Sequence, residues 1–424
     1  MKNNIELTWP EKGRFYTIKQ KNLIENPSLS CCANNPDTKN MLIYGDNLLV
    51  LKALEKDYTG RVKCIYIDPP YNIGKDNKHY KDNMEHSVWL EFMYTRLCLL
   101  KNLLSDDGFI CCHIDDIEGA YLKVILDEIF GRQNYLNTFY IQVRYPNKTL
   151  TEDSDYHKII EQCHVYSKSK KIAKLNRPAV EYDIEKFKWK IKEDSRGKMI
   201  VLGDKKVEIF KPGQYHIEEI EPSLTGLKET WATGSVAKGI TGRFFELYLA
   251  QRKDIDGLGC LYKVEGIGED GLGIRYIAGP KRANAKKGKF YSGIPSIRLN
   301  EMQNGASYKF LPVSNFCDFS ANFGNCRFEG SVDFTGGKKP EALLKMILEY
   351  YSQPGDLILD AFLGSGTTAA VAHKMKRCYV GIENGKQMFT HCIPRLQKVI
   401  EGEQSGISKD VGWNGGGGFK FYMF

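Results

Sequence analysis

Short, almost wholly apolar runs that end at polar or glycine residues recur near both ends of the chain. They cover residues 41–44, 65–67, 356–360 and 378–383. Each run has the length and composition of a buried strand. Amphipathic stretches alternate with them, and this spacing predicts helices over residues 87–104 and 343–351. The alternation predicts an α/β fold, in which ligands bind at the carboxyl ends of the strands.

The run at 65–67 ends in Asp68-Pro69-Pro70-Tyr71. The two prolines fix φ and remove two N–H donors, so the Asp68 carboxylate and the neighbouring carbonyls form a rigid group of hydrogen-bond acceptors. Such a group suits a neutral –NH2 donor, for example the exocyclic amine of a nucleobase, and Tyr71 offers a flat face on which that base can stack. A plain turn, with Asp68 as a cap and Tyr71 filling a gap, explains the same residues.

A second candidate site follows the run that ends at Asp360. The chain there reads Asp360-Ala-Phe362-Leu-Gly364-Ser365-Gly366-Thr367-Thr368 and then becomes helical. Glycines at such a junction let the backbone approach a ligand, although ordinary tight turns share this pattern. Glu383 ends the next apolar run, at a position from which a carboxylate can accept both hydroxyls of a ribose.

The two motifs, in this order, resemble the β class of amino-group DNA methyltransferases. The resemblance covers residues 40–145 and 330–424. Within the class, the likeness to modification subunits of type III restriction systems rests on residues 44–48, 108–116 and 415–421. It implies a Rossmann-like α/β sheet for an S-adenosylmethionine-dependent methyltransferase, with circularly permuted motif order and a target-recognition domain inserted between the catalytic and cofactor-binding halves.

The same resemblance implies roles for individual residues. Catalysis is expected from Asp68, Pro69, Pro70 and Tyr71. Cofactor binding is expected from Asp46 near the adenine, from Lys339 near the carboxylate, and from Asn47, Asp360, Phe362, Gly364, Ser365, Gly366, Thr367, Thr368 and Glu383. Asp46 is equally explained as the N-cap of the helix that follows it.

The implied reaction is transfer of a methyl group to the N6 amine of a flipped-out adenine in double-stranded DNA. Methylation of cytosine N4 is the nearest alternative. A dinucleotide oxidoreductase would use the glycine turn but leaves the Asp-Pro-Pro-Tyr loop unexplained, and a non-catalytic DNA-recognition subunit would not need both motifs. The resemblance also raises a homodimer and a nuclease or helicase restriction subunit as partners.

The net charge of +8 is concentrated in the middle of the chain. Residues 141–340 hold 34 Lys and Arg against 25 Asp and Glu. This surplus fits a surface that follows a phosphate backbone, and a solvated lysine-rich surface is the alternative. The predicted division is an N-terminal arm (1–39), a catalytic half (40–167), a target-recognition domain (168–334) and a cofactor-binding half (335–424). The DNA-binding candidates are Lys75, Lys78, Tyr145, Lys286 and Lys287.

The remaining composition narrows the class of protein. The twelve cysteines are scattered, without a C-x-x-C pair, so free thiols and no metal site are expected. The mean hydropathy is −0.40, no apolar run approaches eighteen residues, and the first residues do not resemble a signal peptide. We therefore expect a cytoplasmic protein.

Overall fold

The computed structural model describes residues 6–13, 21–33, 35–74, 82–148, 155–231, 238–285 and 287–424. The chain forms two compact units. The first comprises Met1–Arg177 and Pro312–Phe424, and the second comprises Pro178–Leu311.

The strands and helices have the following bounds. The strands are β1 Ile24–Glu25, β2 Met41–Tyr44, β3 Val62–Ile67, β4 Leu104–Ile114, β5 Tyr135–Gln142, β6 Ile160–Ser167, β7 Ala179–Glu181, β8 Trp189–Glu193, β9 Lys198–Leu202, β10 Lys205–Phe210, β11 Tyr215–Glu219, β12 Lys228–Trp231, β13 Leu261–Glu265, β14 Ile274–Ala278, β15 Lys289–Ser292, β16 Tyr308–Phe310, β17 Phe316–Asp318, β18 Leu357–Asp360, β19 Cys378–Glu383 and β20 Lys420–Met423. The α-helices are α1 Asn47–Tyr58, α2 His86–Leu103, α3 Asp116–Leu126, α4 Ile240–Phe244, α5 Lys253–Asp256, α6 Ser296–Gln303, α7 Ser320–Asn325, α8 Glu341–Tyr351, α9 Thr367–Lys374 and α10 Ile393–Ile400.

One sheet organises the first unit, with the strand order β1-β20-β2-β19-β18-β3-β4-β6-β5-β17. The run from β20 to β4 is parallel throughout, and β6 lies antiparallel between β4 and β5. Strand β18, from the C-terminal part of the chain, therefore pairs directly with β3. From β18 the chain crosses over to β19 on one side, whereas from β3 it crosses over to β4 on the other. Ligands bind at such a reversal of strand order, outside the carboxyl ends of the strands.

Helices cover both faces of this sheet. Alternate residues of the central strands point to opposite sides, so Ile65 packs with α1, α2 and α3, whereas Cys64 and Tyr66 pack with α8, α9 and α10. Because both faces are buried, β3 is apolar at nearly every position. The predicted Rossmann-like sheet, assembled from both ends of the chain, is confirmed.

The second unit is mainly antiparallel. Its larger sheet has the order β12-β15-β14-β13-β10-β9, and two strand pairs, β8 with β11 and β7 with β16, complete it. A separate core forms where Phe244, Phe245 and Leu249 pack on the apolar residues of β10, β13 and β14.

The bounds of this unit are narrower than the inserted region expected from the change in sequence pattern. Residues 168–177 and 312–334 lie in the first unit. The reason is strand pairing, since β17 extends the large sheet by pairing parallel with β5. At the other edge of this sheet, β1 of the N-terminal arm pairs with β20. Across the described part of the chain, the helices are too short or too polar to cross a membrane.

Candidate active site

A cavity of about 390 Å³ lies at the carboxyl ends of β2, β19, β18 and β3 in the first unit. Its size is in the range of small-molecule binding sites, about 300–1,000 Å³. The lining residues come from segments far apart in sequence: Gly45, Asp46, Asn47, Asp68, Pro70, Met84, Phe92, Phe334, Gly337, Ala361, Phe362, Gly364, Ile382, Glu383, Asn384 and Gln387. The Asp-Pro-Pro-Tyr loop and the glycine-rich turn therefore share one cavity.

The glycine-rich turn has a backbone that favours glycine at two positions. Gly364 and Gly366 have φ of +57° and +82°, which L side chains rarely adopt. A Cβ on Gly366 would also lie 3.3 Å from the Cα of Cys392, whereas a Cβ on Gly364 would meet only the Phe362 carbonyl, at 3.9 Å. Gly364 thus leaves space beside the cavity. Gly366 allows α9 to begin close to Cys392, the residue before α10.

Asp360 lies behind this turn and braces it. Its carboxylate accepts hydrogen bonds from the Phe362 N–H at 2.9 Å and from the Thr368 hydroxyl at 2.5 Å. Burial raises the pKa of Asp360 to about 7. Ser365 and Thr367 are also buried, with their hydroxyls 3.1 Å apart. Four residues therefore surround the turn without lining the cavity: Asp360, Ser365, Thr367 and Thr368.

Glu383 ends β19 with its carboxylate against the same turn. One oxygen, Oε1, accepts from the N–H groups of Asn384 and Gly385 and from the Gln387 amide, all within 2.9 Å. The other oxygen, Oε2, accepts from the Gly364 N–H at 2.8 Å. Burial raises the pKa of Glu383 even though these donors favour its ionised form. Each carboxylate oxygen has two lone pairs, so Oε2, which accepts from one donor, retains capacity for one ligand hydroxyl.

Asp46 is both the N-cap of α1 and part of the cavity wall. Its Oδ1 accepts from the Leu48 and Leu49 N–H groups, and its Oδ2 lies 3.4 Å from the guanidinium of Arg96. Asn47 donates to the Ala361 carbonyl at 2.8 Å and accepts from Arg96. The two explanations of Asp46 are therefore compatible, and Asn47 joins α1 to the residue after β18.

The Asp-Pro-Pro-Tyr loop is fixed from α2. The indole N–H of Trp89, which is fully buried, donates to the Pro70 carbonyl at 2.8 Å. Pro69 is buried, whereas Asp68, Pro70 and Tyr71 are partly exposed. The Tyr71 hydroxyl lies 3.0 Å from Asp68 Oδ1. The loop thus keeps the carboxylate and the ring at the mouth of β3.

Lys339 lies on the Asp68 side of the site. Its ammonium is 2.7 Å from the Tyr71 hydroxyl and 3.2 Å from Asp68 Oδ1. Burial opposes its charge, but the anionic neighbours raise the pKa of Lys339 above its ordinary value. Lys339 is not among the residues that line the cavity. Its expected contact with a cofactor carboxylate stays a prediction.

Sequence reasoning missed two residues beside this group, Glu161 on β6 and His113 on β4. Glu161 Oε2 lies 3.0 Å from the Tyr71 hydroxyl, 3.2 Å from Lys339 Nζ and 2.8 Å from His113 Nε2. The amino-acid sequence contains only a weak indication of a role for Glu161. Glu161 lies near the start of an apolar strand, in the hairpin expected to close the base pocket, and a carboxylate near the end of a strand is common without any function.

The DNA-binding candidates are only partly described. Lys75, Lys78 and Lys286 lie outside the described residues. Tyr145 is 40% exposed, with Lys148 Nζ 4.6 Å from its ring centre, and it does not line the cavity. Lys287 is exposed in the second unit. Among the described residues, no group of three or more His, Cys, Asp or Glu side chains is arranged to hold a metal ion.

The fold and the site define an α/β protein of the Rossmann-like class. Its ligand cavity lies where the strand order reverses and is lined by the Asp-Pro-Pro loop and the glycine-rich turn. The chain matches the family model described as DNA methylase over residues 62–393. It therefore belongs to the DNA methylase family, and the resemblance seen in the sequence is confirmed.

Individual relatives agree with this family. The chain is 36% identical over 412 residues to "Probable type III restriction-modification enzyme HindVI Mod subunit" of Haemophilus influenzae, covering 90% of this chain and 53% of that protein. It is 30% identical over 446 residues to the type III StyLTI Mod subunit of Salmonella typhimurium, covering 95% and 60%. Among solved structures, the PvuII cytosine-N4-specific DNA methyltransferase is 12% identical with a TM-score of 0.41, covering 88% of this chain and 91% of that chain. The chain spans little more than half the length of these two curated relatives.

Proposed function

We propose that this chain is a site-specific DNA methyltransferase that uses S-adenosylmethionine to methylate the N6 amine of adenine. One observation carries the proposal. Asp68, which suits an amine donor, and the neighbouring Pro70 line the same cavity as Gly364 and Glu383, which suit a nucleoside cofactor. Methyl transfer requires the two reactants to be held side by side, and a shared cavity meets that requirement.

The residues of the cavity fit the cofactor. Gly364 leaves its backbone open, Glu383 Oε2 retains capacity for a ribose hydroxyl, and Asp46 and Phe362 lie on the walls where the adenine is expected. When bound, S-adenosylmethionine supplies an electrophilic methyl group on its sulfonium. The contribution of the protein is to hold the acceptor amine in line with that group.

Asp68 and the Pro69 carbonyl are the acceptors that we assign to the target amine. Trp89 already donates to the Pro70 carbonyl, which leaves Pro69 as the backbone acceptor of the pair. Hydrogen bonds to both would orient the nitrogen lone pair and stabilise the positive charge that develops on the nitrogen. Flipping the adenine out of the duplex costs a few kcal/mol, and stacking on Tyr71 would return about 1–3 kcal/mol.

The second unit is proposed as the target-recognition domain, and double-stranded DNA as the substrate. The basic surplus of residues 141–340 supports this assignment. The names of the relatives as Mod subunits of type III systems support a role in restriction-modification, with a restriction subunit as partner. The homodimer stays part of the proposal.

Two measurements test this function. Calorimetry should show binding of S-adenosylmethionine and none of NAD. Transfer of tritiated methyl groups to PCR-amplified bacterial DNA should be followed by modification-sensitive sequencing, which should place methyl groups on adenine in one short motif. Methyl groups on cytosine would support the N4 alternative and overturn the adenine assignment. DNA binding without methyl transfer would indicate a recognition subunit.

A further inference from the structure

The Lys339 ammonium is shared between two carboxylates, one on the loop after β3 and the other on β6. It lies 3.2 Å from Asp68 Oδ1 and 3.2 Å from Glu161 Oε2. The Tyr71 hydroxyl is likewise 3.0 Å from each of these oxygens. We propose that Glu161 is a positioning residue that draws Lys339 away from Asp68, so that Asp68 remains an acceptor for the target amine. This inference rests on the proposed function.

Glu161 is held more firmly than Asp68. Its Oε2 lies 2.8 Å from Nε2 of His113, and Nδ1 of His113 lies 2.9 Å from the Tyr66 hydroxyl. His113 and Tyr66 are fully buried on the adjacent strands β4 and β3. Glu161 is therefore fixed by the sheet, whereas Asp68 is carried by the loop that follows β3.

Asp68 and Glu161 compete for the ammonium of Lys339. Burial opposes ionisation of Glu161, but the Lys339 charge and the contact with His113 hold the pKa of Glu161 well below its ordinary value. Two anions then compete for one buried ammonium, whose side chain is only 8% exposed. An acceptor already saturated by Lys339 and Tyr71 has less capacity left for an incoming amine.

Replacing Glu161 with glutamine removes one of the two anions and keeps the shape. The glutamine carbonyl can still accept from the Tyr71 hydroxyl. Lys339, however, would be left with Asp68 as its carboxylate partner, and the amine would meet an occupied acceptor. A small misplacement of a reacting group is enough to slow a reaction about 100-fold.

A double-mutant cycle tests this mechanism. The variants are Glu161→Gln, Lys339→Met and the combination, and kcat is measured with tritiated S-adenosylmethionine at saturating concentration on PCR-amplified bacterial DNA. We expect Glu161→Gln to lower kcat about 10- to 100-fold in the wild-type background. In the Lys339→Met background the same change should alter kcat less than about twofold, because Glu161 acts through Lys339.

A loss of equal size in both backgrounds would overturn the proposal, as would wild-type kcat in Glu161→Gln. The fallback for a poorly folded Glu161→Gln is Glu161→Asp, which retracts the carboxylate by one methylene. Its kcat should fall below that of wild type, and the same change should alter kcat less than about twofold in the Lys339→Met background. Wild-type kcat in Glu161→Asp would count against the inference. The matched control is Glu349→Gln, on the exposed face of α8.

A second readout does not depend on activity. Competitive labelling with acetic anhydride, read by mass spectrometry, should modify Lys339 faster in Glu161→Gln than in wild type, because one of the anions that raise its pKa is gone. An unchanged labelling rate would contradict the shared ion pair. Failure of the wild-type protein to transfer methyl groups would instead refute the proposed function, so the two failures are distinguishable.

Discussion

Replacement of Arg395 by methionine should destabilise the first unit and loosen the glycine-rich turn. Arg395 is fully buried on α10 and lies 2.8 Å from Glu341, which is equally buried. Its guanidinium also donates to the Thr367 hydroxyl at 2.7 Å and to the Ser365 carbonyl at 3.3 Å. Burial opposes ionisation of Glu341, but Arg395 and Lys374 hold the pKa of Glu341 below its ordinary value.

The size of the effect follows from the charges that remain. Methionine fills the space of the arginine stem but leaves Glu341 with Lys374 alone, and Lys374 is already shared with Glu403. Breaking a buried ion pair by removing one partner costs about 3–5 kcal/mol. Because Glu341 keeps one cation, we expect the lower end, about 3 kcal/mol, or roughly 6 °C in Tm at about 2 °C per kcal/mol.

Thermal unfolding followed by circular dichroism measures this loss. The control is Lys345→Met, which removes a partly exposed pair with Glu349 and should cost less than about 1 kcal/mol. Adding Glu341→Gln to Arg395→Met removes the buried carboxylate that has lost one of its two cations and should restore part of the stability. A melting temperature of Arg395→Met within 1 °C (roughly 0.5 kcal/mol) of the control would refute the reasoning.

Three further predictions follow from the site. Asp68→Ala should abolish methyl transfer while calorimetry still shows cofactor binding, and near wild-type transfer would remove the basis of the mechanism. Asp360→Asn tests the raised pKa of Asp360: the contribution of this carboxyl to stability is fully present below about pH 4 and is lost as pH rises to about 7, so the melting temperature of wild type relative to the variant should fall across that window, and a constant difference would contradict the shift. A chimera in which residues 178–311 are replaced by the corresponding region of a related enzyme should methylate the motif of that enzyme, as read by genome-wide sequencing. An active chimera that still methylates the original motif would place recognition elsewhere.

The class of fold, the family and the main segments of the candidate site can all be predicted from the amino-acid sequence. Apolar runs identify buried strands because a strand covered on both faces cannot tolerate polar residues. Motifs such as Asp68-Pro69-Pro70-Tyr71 are readable because their chemistry is local: the prolines, the carboxylate and the ring are adjacent in the chain. The glycines at 364 and 366 are readable for the same reason.

The tertiary structure alone decided which distant side chains meet. Glu161 contacts Lys339 across 178 positions of sequence, and Lys339 contacts Tyr71 across 268. These contacts exist because β18 pairs beside β3 and β6 pairs beside β4, a strand order that no local pattern encodes. The ion pair of Arg395 with Glu341 and the bounds of the second unit have the same origin. Hydrophobic periodicity reports which face of an element is buried, whereas the partner across that face depends on how the elements are arranged in space.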